Sequence, residues 1–175
     1  MTGRTSRWRV QVGSASPPPT DVYDWLPEAF AAIDGVRSRA EHPSTWLDLG
    51  AATSARWPGC NVASVHLSDE RPCGFVVLDV DGADHDAARI RALAIRRALR
   101  NLGYGGEVVE QLEAAVPRRR WYAVVPRGNG LAVYFWLRIG YRPVRLDEDE
   151  ALCRDPAQLW MMREHQPPSD ATPGP

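Results

Sequence analysis

The sequence predicts a mixed α/β fold in which helices flank a central, mostly antiparallel sheet. Two apolar runs, Asn61–Leu67 and residues 74–80, are joined by the polar segment SDERP, which favours an antiparallel hairpin. A third apolar run at 88–95 follows the turn DGADHD and extends the hairpin into a meander. An amphipathic helix at 106–116 then precedes a strand at 121–125, and such a crossover helix makes the strands that it connects parallel neighbours.

The residues before the hairpin are predicted to add one strand and two helices. Residues 8–12 alternate in the manner of a short strand, and a proline cluster follows them. A helix is predicted at 21–36 with Asp21 as its N-cap. A second helix is predicted at 44–55, where Ser44 is placed to cap the first turn.

The last third of the chain is predicted to supply one more helix and the final strands. The helix at 129–139 follows from apolar residues that share one face, namely Ala132, Phe135, Trp136 and Ile139. Segments 141–146 and 159–163 are predicted strands. The proline-rich tail at 166–175 is predicted to be disordered, so residues 1–165 form a single expected domain.

Composition excludes several function classes. A chain of 175 residues with 44% hydrophobic residues is long enough for one core, and its net charge of −1 gives no broad basic field for nucleic acid or acidic membranes. The cysteines, Cys60, Cys73 and Cys153, lack the spacing of a zinc site or a disulfide framework, so no metal is expected. With neither a secretory signal nor a membrane-length apolar run, a cytoplasmic location is expected.

A glycine-rich turn before the 106–116 helix predicts an anion site. Gly103, Gly105 and Gly106 allow a sharp turn and close approach to a ligand, while the helix start presents unpaired N–H groups and a positive dipole end. A phosphate or pyrophosphate is the expected occupant, although such glycines can also serve a tight connection alone. The segment has neither a P-loop ending nor the spacing of a dinucleotide site.

Two motifs in this half of the chain carry a family resemblance. RNLGYG, from Arg100 to Gly105, resembles the Arg/Gln-x-x-Gly-x-Gly/Ala signature of GNAT acetyltransferases, and Leu93, Ala94 and Ile95 precede it as the family's Leu-Ala-Val strand end does. NGLAVYFWLRIGY, from Asn129 to Tyr141, resembles the family's second element. The order and separation of the two motifs also match, and the resemblance covers about residues 60–164.

The resemblance implies that the chain binds acyl-coenzyme A, with acetyl-CoA as the acyl donor. It implies a sheet that splays between the 88–95 and 121–125 strands, with the pantetheine beside the first and a backbone N–H near Ile95 facing the thioester oxygen. The pyrophosphate is expected on the loop, and Arg100 is expected to add charge to it. The implied cofactor-binding residues are Leu93, Ala94, Ile95, Arg100, Asn101, Leu102, Gly103, Tyr104, Gly105, Gly106, Asn129 and Trp136.

The catalytic residues are less clearly implied. Trp136 stands where the family usually has a tyrosine that protonates the departing thiolate, and an indole N–H is a poor acid. Trp136 either contacts the pantetheine or packs in the core. The alternative acids are Tyr134, Tyr122 and Tyr141. Where some relatives carry a basic glutamate, this chain has Arg89. The candidate bases are His85 first, with His66, Asp79, Asp81 and Asp86.

The expected function is therefore acetyl-CoA-dependent N-acetylation of a primary amine, on a small molecule or a peptide, by direct transfer in a ternary complex. An acyl-CoA-binding regulatory or partner module with little activity is the alternative, and the near-neutral charge disfavours acylation of aminoacyl-tRNA. The expected partners are acyl-CoA and the amine, without a membrane, and a homodimer stays open. The acceptor is expected to be selected by residues 22–57 and 141–155.

Overall fold

The computed structural model describes residues 8–11, 23–34, 46–67, 72–80, 84–145 and 155–165, and these form one seven-stranded sheet flanked by helices. The strands lie in the order β1-β2-β3-β4-β5-β7-β6, and all neighbours are antiparallel except β4 and β5. Their bounds are β1 Trp8–Gln11, β2 Asn61–Leu67, β3 Pro72–Asp79, β4 Ala87–Ile95, β5 Arg120–Pro126, β6 Arg142–Pro143 and β7 Gln158–Glu164. The predicted hairpin, meander and parallel crossover are confirmed.

Helices cover the two faces of the sheet. The helices are α1 Leu26–Asp34, α2 Trp46–Arg56, α3 Tyr104–Ala115 and α4 Gly130–Arg138. Leu112 of α3 and Trp136 of α4 pack in the larger core on one face of the sheet. Leu26 of α1 and Leu49 of α2 pack in a second core on the opposite face. Because strand side chains alternate between faces, β2, β3 and β4 contribute to both cores.

On the sheet face that packs against α1 and α2, one buried cluster contains no residue of either helix. Ala87, Tyr122 and Trp160 form a small separate buried cluster on β4, β5 and β7, and no described helix contributes to it. Tyr122 and Val124 alternate with core residues that face α3 and α4, so this cluster belongs to the α1/α2 side of the sheet. Within the described residues, helices therefore cover that side near β2, β3 and β4, and not near β5 and β7.

Several predicted boundaries were wrong, each for a local reason. The helix predicted from residue 21 begins at Leu26, because Tyr23 to Trp25 form a turn and Pro27 suits a first helical turn. The strand predicted at 141–146 shrinks to Arg142–Pro143, since proline cannot donate to a ladder. Helix α3 begins two residues before the prediction. The predicted caps Asp21 and Ser44 and the predicted disordered tail lie outside the described residues.

Candidate active site

Strands β4 and β5 separate part of the way along their length. They pair in parallel from Ala87 with Arg120 to Ile90 with Ala123, and no further pairing joins them. Strand β4 nevertheless continues to Ile95 and stays paired with β3 on its other side. The sheet is thus open between the ends of β4 and β5, and the predicted splay is confirmed. We call this opening the fork.

A β-bulge lies at the start of the fork. Val77 of β3 faces Ala92, whereas the next residue, Leu78, faces Ile90, so Arg91 is an extra residue on β4. A bulge locally bends a strand and redirects its side chains. Here it coincides with the point where β4 leaves β5, and Arg91 is the first residue of β4 beyond the last paired residue.

The loop after β4 has the backbone geometry of an anion site. Asn101 and Gly103 have positive φ angles of 63° and 89°, and Gly103 is the N-cap of α3 without a side-chain capping bond. Across the described chain, the N–H groups of Gly103 and Gly105 find no acceptor. Unpaired amides at a helix start attract anionic groups, so the loop offers donors to a phosphate at the open end of the fork.

The three loop glycines have different structural roles. Gly103 occupies left-handed backbone space, and a Cβ added to it would have no neighbour within 4 Å, as a sharp exposed turn requires. Gly105 and Gly106 instead lie inside α3 and face α4, where an added Cβ would sit 3.0 Å from the Phe135 ring and 3.4 Å from Ile139. Close packing of α3 on α4 explains these two glycines.

Arg100 and Asn129 both hold the loops in which they lie. The Arg100 Nε donates a 2.8 Å hydrogen bond to the carbonyl of Ile95, which ties the loop to the end of β4. The side-chain oxygen of Asn129 accepts a 3.1 Å bond from the Ala132 N–H and caps α4 as predicted. Contact of either side chain with a bound ligand stays a prediction.

The predicted catalytic residues do not come together. Trp136 is 5% exposed, and its ring packs edge-on against Phe135 and Tyr141 at centroid distances of 5.0 and 4.8 Å. Tyr134 is 64% exposed. His85 lies in an exposed turn before β4, roughly 15–20 Å along that strand from the fork. Catalytic roles for Trp136, Tyr134 and His85 stay predictions, and no observed contact links the three.

Three of the other candidate acids and bases, Tyr141, His66 and Tyr122, have structural partners. The Tyr141 hydroxyl donates a 2.8 Å hydrogen bond to Glu113, while the buried His66 ring lies 2.6 Å from the Ser64 hydroxyl. Tyr122 is buried and packs edge-on against Trp160. Asp86 shares the exposed turn of His85, and Asp81 lies outside the described residues.

Sequence reasoning missed a charged cluster beside the fork. Asp79 of β3 accepts a 3.3 Å hydrogen bond from the Arg91 Nη2 and lies 3.5 Å from the Arg89 Nη1. The Arg91 guanidinium also stacks over the Trp160 ring, 5.3 Å from the ring centroid. Burial, followed by the Asp79 charge, raises the pKa of the Cys60 thiol, and the charge of Arg91 opposes that rise. The available signal was the pair of arginines in an otherwise apolar strand, ARIRALAI.

A surface recess lies just past the C-terminal end of β4, where α1 meets the loop. Its volume is about 580 Å³, and its lining contains two acidic and two basic residues among Asp24, Trp25, Glu28, Arg96, Arg97 and Ala98. This balanced lining favours no ligand charge. The fork, rather than the recess, joins the unpaired strand edge to the anion loop.

Neither a membrane span nor a metal centre is found in the part of the chain that the structure describes. None of the described helices is long and apolar enough to cross a membrane. Histidine, cysteine, aspartate and glutamate side chains form no described group of three or more that could hold a metal ion.

Comparison with known proteins identifies the family. The profile of the Acetyltransferase (GNAT) family matches residues 20–141, which is more than half of the chain, so the chain belongs to the GNAT acetyltransferases. This family implies acetyl-CoA-dependent acyl transfer. A comparison with curated protein sequences gave no match.

Solved structures support the fold. An acetyltransferase from Thermus thermophilus is 24% identical, with a TM-score of 0.63 over 89% of this chain and 97% of its own. A GNAT acetyltransferase from Elizabethkingia anophelis with acetyl-CoA bound is 12% identical, with a TM-score of 0.59 over 91% and 99%. A Bacillus subtilis acetyltransferase in complex with CoA is also 12% identical, with a TM-score of 0.57 over 91% and 99%. At these identities the similarity shows the fold alone.

Proposed function

We propose that the protein transfers the acetyl group of acetyl-CoA directly to the primary amine of a small molecule or peptide, with both substrates bound together. The observation that carries the proposal is the fork that opens toward the anion loop. Two of the structures with this fold contain acetyl-CoA or CoA. Acetyl-CoA is also a suitable ligand for the unpaired N–H groups of the anion loop in this chain.

The spacing of the site fits that ligand. Residues 91–95 of β4 extend from the start of the fork toward the loop and span roughly 13 Å at the rise of a strand, to which the loop up to Gly103 adds. This length is comparable with an extended pantetheine arm. A pyrophosphate on the α3 amides therefore places the thioester near Arg91, where β4 leaves β5.

The chain contributes positioning and electrostatic stabilisation to the reaction. The neutral amine attacks the thioester carbonyl carbon, and the oxygen takes negative charge that a β4 backbone N–H stabilises. Collapse of this intermediate forms the amide and breaks the carbon–sulfur bond. The nitrogen gives its proton to water, and the departing thiolate takes one from solvent.

Two side chains are poorly suited to protonate the thiolate. Trp136 is an indole in the core, and its N–H is too weak an acid for proton transfer. The Tyr141 hydroxyl is committed to Glu113, and burial followed by the Glu113 charge raises its pKa well above the ordinary tyrosine value. A thiolate is a good leaving group without such an acid, so acyl transfer does not depend on either residue.

Calorimetry with acetyl-CoA and desulfo-CoA, followed by a thiol-release assay over an amine panel, tests the proposal. We expect binding of both nucleotides and thiol release with at least one amine. Gly103→Glu, which places a carboxylate and a strained backbone in the anion loop, should abolish binding. Gly59→Glu is the matched control, because Gly59 also has a positive φ, of 79°, but follows α2 away from the loop.

The outcomes separate the two functions that the sequence left open. Binding with thiol release supports the acetyltransferase. Binding without release over the whole panel favours an acyl-CoA-binding module instead. Unchanged affinity in Gly103→Glu would contradict the loop assignment.

A further inference from the structure

We propose that the cluster of Asp79, Arg89 and Arg91 binds a carboxylate of the acceptor, so that the amine acetylated by this protein belongs to an amino acid or a similar carboxylate-bearing amine. The inference rests on the proposed acetyl transfer and names its acceptor class.

The cluster carries an excess positive charge. Both guanidinium groups contact the same carboxylate oxygen of Asp79, so the cluster carries two positive charges and one negative charge. The side chains of Arg89, Arg91 and Asp79 are only 14%, 25% and 17% exposed. Removing charges from water is costly unless they are paired, so a site with one excess cation favours an added anion.

The cluster also has a hydrogen-bond donor that no described residue uses. The Arg91 Nε is buried and has no acceptor among the described residues, although Nη2 of the same guanidinium reaches Asp79. A buried donor without an acceptor is unfavourable. A carboxylate is the ligand that best matches the planar array of guanidinium donors, since its two oxygens accept parallel hydrogen bonds.

The cluster lies at the start of the fork. Arg91 is the bulged residue directly beyond the last β4–β5 pair, and Arg89 lies opposite Tyr122 just before the fork. The Trp160 ring beneath Arg91 holds its guanidinium by a cation–π contact. A carboxylate bound here leaves the amine of the same small molecule within reach of a thioester at the start of the fork.

A purely structural ion pair explains the cluster less well. One arginine is enough to join β3 to β4 through Asp79. The second arginine adds a desolvated charge to the same oxygen, and the bulge turns it toward Trp160 on the side that no described helix covers. An acceptor site accounts for both arginines and for the unpaired Nε.

Matched amines test the inference on the unaltered protein. L-phenylalanine and 2-phenylethylamine differ only by a carboxylate, as do L-methionine and 3-(methylthio)propylamine. We expect the amino acid of each pair to show the higher kcat/KM by roughly 10- to 100-fold, the range of a charge-assisted hydrogen bond. Equal or reversed preference in both pairs, with acetyl-CoA still bound and thiol released, overturns the acceptor class and leaves the acetyltransferase standing.

Variants then assign the effect to the cluster. Arg91→Gln should raise the KM for the preferred amino acid roughly 10- to 100-fold, leave acetyl-CoA affinity unchanged and remove the preference over the decarboxylated amine. Arg91→Lys keeps the charge without the planar donors. Its KM for the amino acid and its preference over the decarboxylated amine should lie between those of the unaltered protein and those of Arg91→Gln. Arg119→Gln is the control, because Arg119 is an exposed arginine just before β5 that pairs with Glu164 at the end of the β4–β5 pairing away from the fork.

Binding of acetyl-CoA by each variant shows that it is folded. A KM increase of the same size for both members of an amine pair overturns the assignment, because a merely structural role would not distinguish them. Absence of acetyl-CoA binding to the unaltered protein would overturn the proposed function and this inference together.

Discussion

The hydroxyl of Tyr141 donates a 2.8 Å hydrogen bond to the carboxylate of Glu113, whose side chain is only 4% exposed. The other oxygen of Glu113 lies 3.2 Å from Arg163 and 3.4 Å from His165. Glu113 lies near the end of α3, Tyr141 follows α4, and Arg163 belongs to β7. One buried carboxylate thus connects the two helices of the larger core to β7, the strand next to the β6 edge of the sheet.

The Tyr141 bond makes stability fall at alkaline pH. Burial, followed by the charge and hydrogen bond of Glu113, raises the pKa of Tyr141 in the folded protein far above its ordinary value of 10.0. Above pH 10 the unfolded chain therefore releases a proton that the folded chain keeps. The contribution of Tyr141 to stability is complete below pH 10 and is lost above it, by up to ~1.4 kcal/mol per pH unit.

Tyr141→Phe tests this pH dependence. At pH 8 we expect the variant to be less stable by about 1–3 kcal/mol, because Glu113 loses a buried donor. Between pH 10 and 11.5 the two unfolding free energies should converge. Urea unfolding at a series of pH values measures both, and a constant difference across that range would show that Tyr141 does not titrate as argued.

Removing the Glu113 charge should leave Arg163 without its buried partner. We expect Glu113→Ala to lower the free energy of unfolding by about 2–3 kcal/mol, below the full cost of an unpaired buried charge because Arg163 is 33% exposed and can reach water. Glu110→Ala, at an exposed position one turn earlier on α3, is the control and should change stability by less than ~0.5 kcal/mol. Equal losses in the two variants would contradict the role of the carboxylate.

Much of the fold follows from patterns that are local in the sequence. The apolar runs of β2 and β3, the helical spacing in α3 and the Asn129 cap each depend on neighbouring residues, and each was predicted. The order of these elements was then enough for the meander and the parallel crossover. Boundaries failed where a turn or a proline overrode periodicity, as at Leu26 and Pro143.

The site was predictable only in part, because much of it depends on register between distant segments. The anion loop and the fork were expected from motifs and from a family resemblance. The bulge that displaces Arg91 is set by how Val77 and Leu78 pair with β4, and no local pattern specifies it. The contact of Arg91 with Trp160 joins β4 to β7, which lies two strands away.

Substitution of Gly74 tests how closely β3 and β4 approach each other at this position. A Cβ at Gly74 would lie 2.5 Å from the Ala94 carbonyl oxygen and 2.8 Å from Ile95, so Gly74→Ala forces buried strands apart. We expect a loss of about 2–3 kcal/mol in unfolding free energy. Gly50→Ala is the matched control, because Gly50 lies within α2 with nothing within 4 Å, and alanine there should stabilise by up to ~1 kcal/mol. Thermal and urea unfolding of both variants measures the contrast.

Two variants at Trp136 distinguish a packing role of this side chain from a role in proton transfer. Its ring fills the core between Phe135 and Tyr141, so Trp136→Phe and Trp136→Tyr should each lose about 1–3 kcal/mol of stability to the cavity left behind. Because the thiolate departs without a protein acid in the proposed reaction, we expect the two variants to have equal kcat at a temperature where both are folded. Thiol release with a saturating amine, followed from pH 6 to 10, provides the measurement. A higher kcat for the tyrosine variant, with a loss at alkaline pH that the phenylalanine variant lacks, would instead place a proton donor at residue 136.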